Sequence, residues 1–254
     1  MDLAEQAVVV TGAGSGMGKA TAYRLARRNA LVAALDIAAK PVLALAQELG
    51  GLGIECDVGS ESSVRTAIQR VVAELGPPRV LVNCAGIAAA QRISGHKGPH
   101  DLGLFQKVIR TNLVGTFNMM RLVAEEMKQL DPVGESGARG VMINTASVAA
   151  YEGQIGQAAY SASKGGVVAL TLPAARELAQ FGIRVVAVAP GLIGTPMLRA
   201  MPEEVQASLA NQVPFPRRLG SADEFAALVE HIIDNEMLNG EVIRLDGAIR
   251  LQSE

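Results

Sequence analysis

Residues 7–26 read AVVVTGAGSGMGKATAYRLA: an unbroken apolar run, then a glycine-rich turn, then a segment with helical spacing. Apolar residues without polar alternation are what a strand covered on both faces requires. The turn places glycine at Gly12, Gly14, Gly16 and Gly18, which keeps side chains away from the first turn of the helix that follows. Backbone amides at that positive helix end can then close on a phosphate. A glycine-rich turn alone is a weak sign. The strand before it and the helix after it give it meaning.

Outward from this stretch, strand-like runs at 31–36, 53–57, 80–83, 141–145, 184–189 and 242–245 join the one at 7–11. Segments of 3.6-residue periodicity lie between them at 16–28, 40–49, 62–75, 104–129, 157–180 and 222–234. Repeated β-α-β alternation predicts an α/β chain: a doubly wound parallel sheet of seven strands with helices on both faces, the Rossmann arrangement. No Pro/Ser-rich linker, shift of composition or fixed-period repeat divides the 254 residues, so a single domain over 1–254 is expected. Two segments interrupt the alternation. Residues 91–103, with three glycines and two histidines, read as an inserted surface loop. Residues 190–216 hold five prolines and the apolar set Leu192, Ile193, Met197, Leu198 and Met201. They are too long for an ordinary βα connection and too apolar for disorder, which suggests a substrate lid.

The 49% hydrophobic content provides for a substantial core. Lys and Arg number 23 against 25 Asp and Glu, and no dense basic block occurs, which argues against nucleic acid or an anionic membrane as the partner. The most apolar stretch, 185–198, is broken by Pro190, Gly191, Gly194 and Pro196, so no span is expected. With Asp2 and Glu5 at the start and no basic residue before Lys19, the N-terminus resembles neither a secretory signal nor a transit peptide, and a cytoplasmic protein is expected. Cys56 and Cys84 read as free thiols. His96 and His100 beside Asp101 read as solvated loop histidines and His231 as a packed helix residue, so no metal is expected.

Asp36 closes the second strand 18 residues after Gly18, where dinucleotide folds put the acid that accepts hydrogen bonds from ribose hydroxyls. Its charge would repel a 2'-phosphate. With Ile37 next to it and no Lys or Arg between Gly12 and Gly18, nothing nearby compensates, so NAD is expected over NADP. The competing reading is a residue that caps the following turn.

Tyr160 and Lys164 are four apart in a helical segment and share a face. A phenol of pKa about 10 is a poor base at neutral pH. An ammonium at about 4 Å is worth roughly 4 kcal/mol at an effective dielectric near 20, enough to bring the phenolate into range. Ser147, just past the fifth strand, can then bond the substrate oxygen while Tyr160 exchanges its proton.

TGAGSGMG at 11–18, NCAG at 83–86, Asn112, Ser147, YSASK at 160–164 and Pro190-Gly191 follow one another as in the short-chain dehydrogenase/reductase family, which the chain resembles over essentially its whole length. The resemblance implies Ser147, Tyr160 and Lys164 as a catalytic triad, with Asn112 holding a water in the proton relay. It implies cofactor contacts at Gly12, Ser15, Gly16, Met17 and Gly18 and at Asp36. Asp57 and Val58 would flank the adenine, and Cys84, Ala85 and Gly86 would face the ribose. Tyr160 and Lys164, with Pro190, Ile193 and Thr195, would stand at the nicotinamide end. Cys84 replaces the commoner Asn of that motif, with little expected consequence because the contact is largely backbone. The family's sheet order puts Cys56 and Cys84 three strand spacings of about 4.8 Å apart, too far for a disulfide.

Longer stretches, GTFNMMRLVAEEM at 115–127, residues 140–179, QVPFPRRLG at 212–220 and NGEVIRLDGAIR at 239–250, resemble a subgroup of that family acting on 3-hydroxyacyl-CoA thioesters. This implies an NAD-dependent enzyme, a homotetramer, and an acyl-CoA substrate held by Ser147, Tyr160, Leu192, Met197, Leu198 and Met201. Lys97 and Arg92 of the inserted loop would meet the CoA phosphates. A hydroxysteroid or other secondary alcohol is the alternative substrate. Ser161-Ala-Ser-Lys164 also fits the S-x-x-K pattern of acyl-transferring serine enzymes, but neither an SDN nor a KTG partner motif occurs. A non-catalytic NAD-binding sensor is the remaining class, and the complete Ser, Tyr, Lys and Asn set argues against it.

Overall fold

The computed structural model of the protein describes residues 1–96, 98–199 and 202–253. Lys97 and Met201 lie outside the described residues, as does the side chain of Met197. Seven strands form one parallel sheet: β1 (Ala7–Thr11), β2 (Leu31–Asp36), β3 (Leu52–Glu55), β4 (Val80–Asn83), β7 (Gly140–Thr145), β8 (Ile183–Pro190) and β9 (Val242–Leu245). A short hairpin, β5 (Ser94–Gly95) and β6 (Gly98–Pro99), supplies the other two strands. The sheet order is β3-β2-β1-β4-β7-β8-β9, so the winding reverses beside β1 and opens a crevice at the carboxyl ends of β1 and β4. This is the expected doubly wound fold.

Burial on both faces explains the apolar strands. Alternation along β1 sends Val8 and Val10 into one layer and Val9 into the other. The first layer is completed by helices α1 (Gly16–Ala26), α2 (Ala39–Leu49) and α9 (Ala222–Asp234) through Leu25, Leu45 and Phe225. The second is completed by α3 (Glu61–Leu75), α5 (Gly115–Met127) and α6 (Ala158–Ala179), with Ile68, Met119, Met127 and Ala175. Ser60 caps α3, and Ser221 with Glu224 forms a reciprocal capping box at α9.

Four expectations are corrected. His231, expected to be packed, is exposed on α9, with its Nε2 3.3 Å from Asn235 Nδ2. The long helix expected over 104–129 is α4 (Leu102–Ile109), a π-helical turn (Arg110–Val114) and α5, because Gly115 N–H bonds back five residues to Arg110. The loop expected at 91–103 contains the β5–β6 hairpin and the start of α4, capped by Asp101 accepting from Gly103 N at 2.8 Å. The segment expected as an irregular lid carries two helices: α7 (Pro196–Arg199) and α8 (Glu203–Asn211) follow β8, which itself runs through Pro190. Cys56 and Cys84 each lie one residue beyond β3 and β4, separated by β2 and β1, and both are free thiols.

Gly18 shows how tightly α1 sits on the first turn. A Cβ there would stand 2.3 Å from the Gly12 carbonyl oxygen, a backbone atom that cannot swing away. Gly18→Ala is therefore expected to lower stability by about 1–3 kcal/mol, the cost of overpacking. A urea midpoint equal to that of the unmutated protein would contradict this.

Candidate active site

The crevice is built by backbone meeting backbone. Gly12 has φ +65°, and a Cβ on it would lie 2.7 Å from Ala85 N and 2.8 Å from the Cys84 carbonyl carbon. Thr11 closes the same junction: its hydroxyl accepts from Cys84 N at 3.2 Å and Ala85 N at 3.1 Å and donates to Asn83 Oδ1 at 3.4 Å. Thr11, Asn83 and Asn144 are register partners across β1, β4 and β7, and Asn83 Nδ2 donates to Asn144 Oδ1 at 2.9 Å. Asn144 Nδ2 in turn meets Met120 Sδ at 3.2 Å. Sequence reading passed over this buried polar row. Its signal was a polar residue near the end of three apolar strands.

Asp36 turns its carboxylate toward the glycine loop. Oδ2 accepts from Gly14 N and Oδ1 from Ala38 N, each at 2.9 Å. It therefore caps the following turn and stands beside the phosphate loop at once, so the two readings of this residue are compatible. A Cβ on Gly14 would reach within 2.9 Å of Asp36 Oδ2, and one on Gly16 would face Thr195 Cγ2 at 3.5 Å. A groove whose walls approach to the limit of glycine, with a helix N-terminus from Ser15 to Gly18 and an acid at its far end, fits the pyrophosphate and ribose of a dinucleotide. Met17 contributes its carbonyl to the Thr21 hydroxyl at 2.8 Å. On the other rim, Asp57 Oδ1 accepts from Gly59 N at 2.9 Å, and the Val58 carbonyl accepts from Asn118 Nδ2 at 3.1 Å.

Ser147, Asn112 and the α6 pair Tyr160 and Lys164 come from three parts of the fold. Ser147 follows β7 and caps a 3-10 turn (Val148–Ala150), accepting from Ala149 N at 3.1 Å and keeping its own proton for a partner. Lys164 is buried on α6, donates to the Thr145 carbonyl at 2.6 Å and holds its Nζ 5.8 Å from the Tyr160 ring centre. Asn112 lies in the π-helical turn, fully buried. Its Oδ1 accepts from Ile87 N at 2.8 Å, and its Nδ2 donates to Ile87 O at 2.9 Å and Ser163 Oγ at 3.0 Å. Both amide protons and one lone pair of Oδ1 are thus engaged, and the Asn112 main-chain carbonyl accepts from the Thr116 hydroxyl at 2.8 Å. A Cβ on Gly86 would face Asn112 Oδ1 at 3.3 Å and Lys164 Nζ at 3.7 Å, which puts the loop after β4 against both residues.

The electrostatics correct the sequence argument. Lys164 does not draw the phenol down. Burial raises Tyr160 above its usual range, opposed by a side-chain hydrogen bond with Ser147. Burial also lowers the Lys164 ammonium to about 8, with Cys84 opposing. Loss of water penalises the charged form of each group and outweighs the Ser147 hydrogen bond at Tyr160 and the Cys84 influence at Lys164. Tyr160 consequently keeps its proton at neutral pH. Burial likewise raises the Cys84 thiol to about 11, opposed first by Thr145.

The lid residues divide. Thr195 faces the glycine loop, whereas the Ile193 side chain is packed, with its Cδ1 against Gly220. Leu192 and Ile193 line a cavity of about 140 Å³ shared with Val213 and Leu245. Leu198 is half-buried. Ser161 Oγ is buried without a partner and points at Gly153, where a Cβ would come within 2.1 Å of it. The S-x-x-K reading has no such geometry, because the ammonium bonds the Thr145 carbonyl. No group of three His, Cys, Asp or Glu suited to a metal occurs among the described residues, and none of their helices is long and apolar enough to cross a membrane.

The family model for short chain dehydrogenases matches residues 6–206. Human 3-hydroxyacyl-CoA dehydrogenase type-2 is 54% identical over 96% of this chain and 95% of its own. Human (3R)-3-hydroxyacyl-CoA dehydrogenase is 34% identical over 95% of this chain and 94% of its own. The crystal structure of 3-hydroxyacyl-CoA dehydrogenase type-2 from Mycobacterium avium superimposes with a TM-score of 0.93 at 44% identity, covering 98% of this chain and 97% of that one. Together with the crevice and the residues around it, these matches show that the chain belongs to the short-chain dehydrogenase family, as an oxidoreductase closely related to 3-hydroxyacyl-CoA dehydrogenase type-2 and using a nicotinamide cofactor.

Proposed function

We propose that the protein is an NAD-dependent dehydrogenase that interconverts 3-hydroxyacyl-CoA and 3-ketoacyl-CoA thioesters. The observation that carries the chemistry is a protonated, desolvated Tyr160 phenol interacting with the Ser147 hydroxyl, on the same helix face as the buried Lys164 ammonium. The substrate class rests on the names of the relatives. When bound, the cofactor supplies or accepts a hydride at the carbinol carbon. In ketone reduction Ser147 donates a hydrogen bond to the substrate oxygen, and Tyr160 delivers its proton to that oxygen. The Lys164 charge then stabilises the phenolate left behind, and Asn112 stands in the relay that returns a proton. In the oxidative direction Tyr160 is the base.

The inserted segment, with Arg92, is assigned to the CoA end, and Leu192, Met197, Leu198 and Met201 to the acyl chain. The compartment proposed is the cytoplasm. A homotetramer is proposed as well, supported by Val114 and Phe117 standing 47% and 56% exposed three residues apart on one helix face, and by Leu172 at 45% on α6.

The decisive experiment follows NADH oxidation with acetoacetyl-CoA, a longer 3-ketoacyl-CoA, free acetoacetate and a 17-keto steroid. The thioesters are expected to have much the highest kcat/KM, because contacts remote from the carbonyl help to orient it. Tyr160→Phe should abolish turnover while NADH still binds. Equal rates on thioester and free acid would leave a secondary-alcohol dehydrogenase of another substrate.

For the cofactor, the unmutated protein should strongly prefer NADH to NADPH, and Asp36→Ala should narrow the ratio by at least about tenfold, or about 1.4 kcal/mol. Equal use of both by the unmutated protein overturns the assignment. Light scattering should give close to four times the 26.4 kDa chain mass, and a monomer would refute the assembly.

A further inference from the structure

We propose that Ser163 is a positioning residue for proton transfer, holding the Tyr160 turn of α6 at a set height above the loop after β4. The inference rests on the reading that Tyr160 exchanges the proton, and it deepens that reading. Ser163 is completely buried. Its hydroxyl donates to the Tyr160 carbonyl at 2.7 Å and accepts from Asn112 Nδ2 at 3.0 Å. Asn112 in turn grips both backbone groups of Ile87.

The donors and acceptors of this chain admit one assignment. The Ile87 amide needs an acceptor, so Asn112 must present Oδ1 to it. Nδ2 then faces Ile87 O and Ser163, and it can only donate. Ser163 must accept that bond and spend its single proton on the Tyr160 carbonyl. Neither the amide nor the hydroxyl can flip without stranding a buried partner, which costs more than the bond contributes. Asn112 reaches both partners from the π-helical turn, where it is fully buried.

What is held matters for the chemistry. Ile87 follows Gly86, the residue that stands against Asn112 and Lys164. Ser163 lies three residues after Tyr160 and directly before Lys164, so one hydroxyl ties the residues on either side of the reacting space to a common frame. The side chains have one tie each, the phenol to Ser147 and the ammonium to the Thr145 carbonyl, and neither fixes the helix backbone from which they project. An alanine would leave the Asn112 Nδ2 proton unpaired and free the first turns of α6 to shift against β4. A displacement of about 1 Å at reacting atoms can cost 100-fold.

The test compares Ser163→Ala, Asn112→Ala and the double variant. Ser163→Ala is expected to bind NADH within about threefold of the unmutated protein while kcat for the ketone falls by about 10- to 100-fold. The double variant should be no slower than the slower single one, because both act through one link. A kcat within about twofold of the unmutated value, with only the melting temperature lowered, makes Ser163 merely structural and overturns the proposal. Losses that multiply in the double variant also overturn it. Should Ser163→Ala not fold, Ser163→Cys fills the same space with a weak donor and carries the same expectation, an undiminished kcat again overturning it. Tyr160→Phe is assayed alongside. If it is inactive while Ser163→Ala is fully active, only the positioning role falls; if it turns over normally, the underlying proton-transfer reading falls.

Discussion

The carboxyl ends of β1 and β4 approach so closely that no side chain fits between Gly12 and the Cys84–Ala85 backbone. The rest of the site depends on this contact. It sets the crevice at the point where the winding reverses, and it lets the Thr11 hydroxyl reach two amides of the opposing loop. The same junction carries Gly86 and Ile87 to Asn112, and through Asn112 to α6. Cofactor loop and catalytic helix are therefore joined by short polar links anchored on one backbone contact. The links are buried or partly buried, so leaving one unsatisfied is costly, and the geometry is held more firmly than the modest net worth of single hydrogen bonds suggests.

Desolvation is the second organising effect. A lysine and a tyrosine placed in the same dry pocket are both pushed toward their neutral forms. For the tyrosine this favours a retained proton, which suits donation to a ketone oxygen. For the lysine the downward shift to about 8 still leaves most of the population charged at neutral pH, so it can stabilise a phenolate once the proton has left. In the proposed reaction the pair is prepared for the state after transfer, which is where electrostatic preorganisation is effective.

The sequence was most legible where local chemistry and long-range packing agree. The strands over Ala7–Thr11, Leu31–Asp36, Val80–Asn83 and Val242–Leu245 and the helix Ala222–Asp234 have the bounds their apolar patterns imply. The glycines of the first turn announced a close approach, since nothing else explains them at that spacing. The α5 side was less legible, because periodicity over 104–129 cannot reveal a five-residue turn of π-helix. The hairpin at 94–99 and the helices of the lid were missed as well. Glycine and proline there signalled irregularity, and short elements leave too few residues to show a period.

By itself the sequence determined the layer architecture, the winding and the glycine turn, since these follow from residue types at short spacings, and it singled out Asp36, Ser147, Tyr160 and Lys164 as candidates. Only the tertiary structure decided which buried partners those residues keep. The Thr11–Asn83–Asn144 row, the Asn112 grip on Ile87 and the bolt through Ser163 join positions 25 to 72 residues apart. The direction in which Tyr160 titrates was likewise decided there. Hydrogen-bond partners and desolvation depend on distances in space, and a one-dimensional pattern carries no record of them.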